Sequence, residues 1–223
     1  MTPPFASIVL PLLTRPRVSP APAPQPVRAP SHVAIAMDGA AADPGQRAHA
    51  LAELIAGCVD RGIGWLSVEA AGAVELADGV RHGQSDVSIT ILRPGSTPAP
   101  QESRVRTREP RLRVTLCESG GRNELVAAAS KLAAAVAAGK LLTAEIDSEM
   151  LRLQLPTYTL PPVDLLIRTG GGGTLSGFLL WQAAYAELLF IDTPFAELRR
   201  SHLDAALNDY ARRKRTFGAL PAR

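Results

Sequence analysis

Several things are scarce in this chain of 223 residues. Aromatic side chains make up 4% of it, and there are two cysteines, Cys58 and Cys117. Two cysteines in apolar surroundings build neither a disulfide framework nor a zinc site, so both are expected as small core residues in a reduced, cytoplasmic protein. No apolar run approaches the ~20 residues of a membrane-spanning helix, so an integral membrane protein is not expected. Charge of one sign is scarce as well. The net charge is +3, and residues 1–30 account for it through Arg15, Arg17 and Arg28 with no acid. The rest holds 21 basic residues against 21 acidic ones. A neutral body with few rings for base stacking argues against nucleic acid as a partner.

Nine of the 19 prolines fall in residues 1–30, where Pro-Ala-Pro-Ala-Pro at 20–24 predicts an extended linker. Phe5–Leu13 is apolar, but its positive charges follow it, the reverse of a signal peptide. Residues 1–30 are therefore expected as a disordered tail, with peripheral contact to a membrane as the alternative, and 31–223 as the folded domain.

From Ser31 onward the pattern is regular. Short β-rich runs occur at His32–Met37, Ile63–Val68, Val87–Leu92, Leu112–Cys117, Val163–Ile167 and Leu188–Ile191. Helical periodicity covers 46–61, where Leu51, Leu54, Ile55 and Cys58 share a face, and Glu124–Ala138, which Gly139 ends. Further helices are expected from Thr143 to Leu155, over Phe178–Ala186 and over Ser201–Arg215. Ala70–Asp86 and Arg93–Pro110 lack helical period and are expected as loops. Apolar strands alternating with helices predict an α/β domain around a parallel sheet covered on both faces.

Ligands of such sheets bind beyond the carboxyl ends of the strands. Three features fall where that rule directs attention. Met37-Asp38-Gly39 follows the first strand, and an aspartate there can present its carboxylate to a metal, although Asp-Gly is also an ordinary turn. Asp164 to Gly177 runs from a strand through Arg168, Thr169 and four glycines to Ser176. Glycines let backbone N–H groups close on an anion, a following helix adds its dipole, and Arg168 is a bidentate donor. The absence of Gly-Lys-Ser/Thr excludes a Walker A loop. In the third, Phe178 to Phe190, Glu187 is a carboxylate in apolar sequence and needs a partner such as a metal or an arginine. His32, His49, His82 and His202 show no metal-pair spacing, with His82 and His202 expected at the surface. The arginines at 104, 106, 108, 111 and 113 predict a solvated loop able to approach an anionic surface.

Pro162-Val-Asp-Leu-Leu-Ile-Arg-Thr-Gly-Gly, then Ser176, Phe-Leu-Leu-Trp-Gln, Ala-Tyr-Ala-Glu-Leu and Phe217-Gly218, closely resembles the cis-prenyltransferases of the undecaprenyl diphosphate synthase type. So do His32-Val-Ala-Ile-Ala-Met-Asp38-Gly39 and Gly120-Gly121-Arg122. The resemblance spans most of 31–218 and is densest in 160–191. It implies a parallel-sheet α/β fold, a dimer, Mg²⁺, and condensation of isopentenyl diphosphate with an allylic diphosphate into polyprenyl diphosphate. Position by position, it makes Asp38 the catalytic and metal-binding aspartate and Gly39 part of the allylic-diphosphate loop. Arg168 and Ser176 hold isopentenyl diphosphate. Glu187 completes the metal site, from the same chain or across a dimer interface.

The chain also departs from the family pattern. Ala40-Ala41-Ala42-Asp43 stand where the family has Asn-Gly-Arg-Trp, Thr174 replaces a second arginine, and 70–86 is short for the segment that lines a hydrocarbon tunnel. Two expectations follow. One is a divergent enzyme that uses Asp38, Arg168, Glu187 and Mg²⁺. The other is a weakly catalytic or non-catalytic subunit that pairs with an intact homologue. An unrelated phosphate-binding α/β protein is a third.

Overall fold

The computed structural model describes residues 29–37, 42–80, 86–93, 109–118, 120–173 and 176–213. A six-stranded sheet in the order β3-β4-β2-β1-β5-β6 forms its centre, with every pairing parallel. The strands are β1 (His32–Ala36), β2 (Trp65–Glu69), β3 (Val87–Leu92), β4 (Leu112–Cys117), β5 (Leu165–Arg168) and β6 (Glu187–Phe190). The expected α/β parallel-sheet class is what forms. β1 and the middle of β2 are fully buried, which is why their apolar residues run without alternation.

One face of the sheet packs on α1 (Pro44–Asp60), α2 (Ala73–Val80) and the C-terminal helix. Asp43 caps α1: its carboxylate accepts the Gln46 N–H at 3.1 Å, and Pro44 opens the first turn. The opposite face holds Ala34, Ala36, Cys117 and Leu166 against Leu160, Val163, Phe178 and Leu179. Beyond it lie α3 (Gly121–Ala137) and α4 (Ser148–Leu153). The C-terminal helix is α5 (Arg200–Arg212), whose Leu203, Ala206, Leu207 and Tyr210 are buried.

Three expectations about local structure change. Residues 70–86 are not all loop, because α2 forms there. Ala73, Leu76, Ala77 and Val80 are its buried stripe, and Gly79 lets it lie so close to α1 that a Cβ would stand 2.5 Å from that of Ala48. Eight residues are too few to hold a helix alone, so packing of that stripe completes it. The segment from Thr143 divides into a 3₁₀ turn at Thr143–Glu145 and α4, whose start is fixed by Asp147 accepting the Met150 N–H at 2.7 Å. The expected helix over 178–186 is a chain of turns. Gly177 (φ 83°) and Leu179 (φ 48°) both take left-handed backbone, which interrupts a right-handed helix before it can propagate.

Cys58 and Cys117 are buried free thiols, as expected. Burial pushes Cys58 up to about 12. Burial, then Glu124 and Glu69, raises Cys117. His32 is fully buried, its Nδ1 2.9 Å from the Pro161 carbonyl and its Nε2 2.9 Å from Ser67 Oγ. Its pKa is lowered, chiefly by burial. His202 is half-buried rather than exposed, because its Nδ1 accepts the Arg199 N–H at 3.0 Å at the start of α5. Among the described residues no helix is long and apolar enough to cross a membrane.

Candidate active site

The crossover from β1 to β2 runs through α1 on one face, whereas the path from β4 back to β5 runs through α3 and α4 beyond the other. β1 lies between β2 and β5, whose connections run over opposite faces of the sheet, so the rule for open parallel sheets directs a ligand to the carboxyl ends of β1 and β5. Register lines up what stands there. Ala36 is level with Arg168, and Val68, paired with Ile35, places Glu69 level with Ala36. Glu69 in turn pairs with Cys117. Residues level with one another in a parallel sheet share a face, so Glu69 and Arg168 flank Ala36 on the face away from α1.

Arg168 is half-buried. Its Nη1 donates to the carbonyl of Met37 and, at 3.4 Å, to that of Ala36, while its Nε is buried without a hydrogen-bond partner. Gly172 lies against the guanidinium, an added Cβ falling 3.6 Å from Nη2. The glycine run behaves differently from the simple anion loop expected of it. Gly170 (φ 75°) and Gly171 (φ 69°) need the left-handed backbone that glycine permits, but their N–H groups are already donated, to Thr193 O and Ile191 O at 3.1 Å each. These two glycines anchor the turn to the end of β6. Since no helix follows Ser176, no helix dipole comes from that side. The nearest helix start is that of α3, where the Gly121 N–H donates to Gly177 O at 3.0 Å and Arg122 packs on Gly177.

Ser176 accepts the Phe178 N–H at 3.2 Å, and its hydroxyl lies close enough to Glu69 to favour the charged carboxylate. Glu69 is the residue that the sequence reading missed. Burial raises its pKa, partly offset by Ser176 and by the charge of Arg168, and its Oε2 is buried without a partner. A charged residue closing an otherwise apolar strand was the available signal. Arg47 in the first turn of α1 was missed too. It donates to Ala71 O at 2.7 Å, just beyond β2, and leaves its Nε buried and unpaired.

Glu187 stands elsewhere. It opens β6, level with Leu165 at the start of β5, whereas Arg168 is level with Phe190. Three residues along a strand are roughly 10 Å. By the alternation of the pleat, Glu187 also faces α5 rather than the Arg168 side. There Arg213 pairs with it at 3.4 Å and is held by Leu188 O at 2.7 Å and Asp209 at 2.6 Å. The structure thus brings Arg168 and Ser176 together with Glu69, and leaves Glu187 of the same chain at the other end of the sheet. Asp38 and Gly39 lie outside the described residues, as do His82 and residues 1–28. Among the described residues no cluster of three or more His, Cys, Asp or Glu side chains could hold a metal ion.

The family model described as "Putative undecaprenyl diphosphate synthase" matches residues 91–218, more than half of the chain. The chain belongs to the cis-prenyltransferase family. The isoprenyl transferase of Zymomonas mobilis is 48% identical over 101 residues, 45% of this chain and 41% of that protein. The ditrans,polycis-undecaprenyl-diphosphate synthase ((2E,6E)-farnesyl-diphosphate specific) of Xanthomonas campestris is 43% identical over 120 residues, 53% of this chain and 46% of that protein. The chain therefore spans less than half the length of these curated relatives. Solved structures match over more of it. The lavandulyl diphosphate synthase of Lavandula x intermedia, in complex with dimethylallyl diphosphate, shares the fold at a TM-score of 0.69 and 24% identity, covering 86% of this chain and 99% of that one. A "probable undecaprenyl diphosphate synthase" from Campylobacter jejuni aligns at a TM-score of 0.60 and 25% identity, over 86% and 100%. Arg168, Ser176 and Glu187 of this cis-prenyltransferase all lie inside the matched span.

Proposed function

We propose that this cis-prenyltransferase condenses isopentenyl diphosphate with an allylic diphosphate to give a polyprenyl diphosphate. The observation that carries the reading is Arg168: a guanidinium at the carboxyl end of β5, anchored by two carbonyls and still holding a buried, unspent N–H. A buried donor without a partner is costly, and a diphosphate oxygen is the acceptor that suits it.

Arg168 and Ser176 bind the diphosphate of isopentenyl diphosphate and so fix its double bond relative to the allylic carbon. Arg122 at the start of α3 adds positive charge beside Gly177. At the allylic substrate the carbon–diphosphate bond breaks, the new carbon–carbon bond forms from the isopentenyl double bond, and a proton leaves. Asp38, the residue that follows Met37 in sequence, and the substrate's own phosphates are oxygen donors of the kind that suits a hard divalent cation. Mg²⁺ bound there would neutralise charge on the departing diphosphate. Glu187 joins such a site only from a second chain, given its place in its own. A dimer through the 178–190 segment is supported by Tyr185, 67% exposed, and Phe190, 43% exposed, in an otherwise apolar stretch.

Calorimetry on Arg168→Ala tests the reading. A charge-assisted contact is worth about 1.5–3 kcal/mol, so affinity for isopentenyl diphosphate should fall about tenfold or more with the fold intact. Unchanged affinity in the variant, or no binding by the unaltered chain, overturns it. Turnover assayed alone and beside an intact homologue separates a self-sufficient enzyme from a subunit.

A further inference from the structure

Glu69 and Arg168 present a paradox. They carry opposite charges on the same face of β2 and β5, the two strands that flank β1, near enough for the charge of Arg168 to bear on the Glu69 carboxyl. They could pair, yet each keeps one buried polar atom without a partner, Glu69 Oε2 and Arg168 Nε. One atom is an acceptor and the other a donor. Arg168 Nη1 is committed to the carbonyls of Met37 and Ala36, and the Ser176 hydroxyl lies beside Glu69. Buried polar atoms left over in this complementary way ask for a ligand that offers an anionic oxygen to the arginine and a cation to the carboxylate. A diphosphate alone satisfies the arginine and is repelled by the glutamate. A metal-chelated diphosphate satisfies both.

We propose that Glu69 is a ligand to the divalent cation of a metal–diphosphate complex, joining the cation to the oxygens that Arg168 and Ser176 hold. The proposal rests on the reading of Arg168 and Ser176 as a diphosphate site. It adds a carboxylate from β2 that the family motifs do not supply. Mg²⁺ bound by one or two carboxylates plus substrate phosphates and water needs no larger protein cluster, which fits the absence of one among the described residues. Glu69 also explains how Ser176 is set. The hydroxyl lies beside the carboxylate that holds the cation, so filling the site orders both groups at once.

The experiment measures inorganic pyrophosphate binding by calorimetry to the full chain and to Glu69→Gln, in Mg²⁺ and in EDTA, with melting curves to show that both are folded. Gln keeps an acceptor for Ser176, so a change reports the cation rather than a lost hydrogen bond. Mg²⁺ should tighten binding to the unaltered chain by about tenfold or more, the scale of one charge-assisted contact. In E69Q most of that gain should vanish, while affinity in EDTA is unchanged or stronger because a repelling carboxylate is gone. Mn²⁺ in place of Mg²⁺, followed by electron paramagnetic resonance, should show the same loss of bound cation. An E69Q protein that keeps the full metal-dependent gain overturns Glu69 as a ligand and leaves the diphosphate site standing. An unaltered chain that binds no pyrophosphate under either condition overturns the site and the inference together.

Discussion

At the amino ends of the central strands, Asp164 accepts hydrogen bonds from Ser31 N at 2.8 Å, Ser31 Oγ at 2.7 Å and His32 N at 3.2 Å. His32 has a partner on each ring nitrogen, and Glu187 has Arg213. At the carboxyl ends, Arg168 Nε, Glu69 Oε2 and Arg47 Nε are buried with nothing to bond. Both ends belong to one sheet and hold similar residue types. The first spends most of its polar groups on holding the chain in place, although Gln182 Oε1, near Val163, is also buried without a partner, and the second keeps three in reserve. Unsatisfied buried atoms lower stability, so a fold tolerates them where a ligand completes the set.

The sharpest way to break this contrast is Gly121→Ala. The added Cβ would fall 2.5 Å from Gly177 O and 2.8 Å from Leu180 N, backbone atoms that cannot swing aside. Denaturant unfolding should show a loss of about 3 kcal/mol, the upper end for overpacking, and pyrophosphate binding should fail with it. Unchanged stability would mean that α3 and the 177–180 turn separate freely. Asp164→Ala is the opposite case. Removing an acceptor of three hydrogen bonds at the amino end should cost about 2 kcal/mol of stability while leaving pyrophosphate affinity alone. An affinity change as large as that of the Arg168 variant would show that the two ends are not independent.

Acid sharpens the comparison least. His32 is neutral when folded because burial lowers its pKa, so below about 6.5 the unfolded chain binds the extra proton and stability falls with pH. The fall begins at the unfolded value and continues down to the folded one. His32→Gln should flatten that stretch of the stability–pH curve, and an unchanged slope would assign it to other groups.

Most of this fold was legible in the sequence, because buried parallel strands need continuous apolar runs. Val87–Leu92 and Leu112–Cys117 form with the limits expected of them, and α1 and α3 lie within a few residues of theirs. α2 was missed although Ala73, Leu76, Ala77 and Val80 stand at helical spacing, because the segment is short and rich in Gly and Ala; its close approach to α1, where Gly79 meets Ala48, is a contact between helices that no local pattern encodes. The 178–185 segment misled in the other direction: apolar residues at helical spacing are there, but left-handed backbone at Gly177 and Leu179 overrides them. At the site, Arg168 and Ser176 were visible as motif residues. Glu69 was not, since its meaning comes from the register that sets β2 level with Ala36 and Arg168.

Asp164 also fixes an orientation. By gripping Ser31 and His32 it determines where the polypeptide enters the domain, at the sheet end remote from Arg168 and Glu69. A tether joined at Pro30, whether a fluorophore, an affinity tag or a link to a sensor surface, would hold the protein from behind. The Arg168 end of the sheet would face the solution, so an immobilised chain should meet diphosphates as readily as one free to tumble.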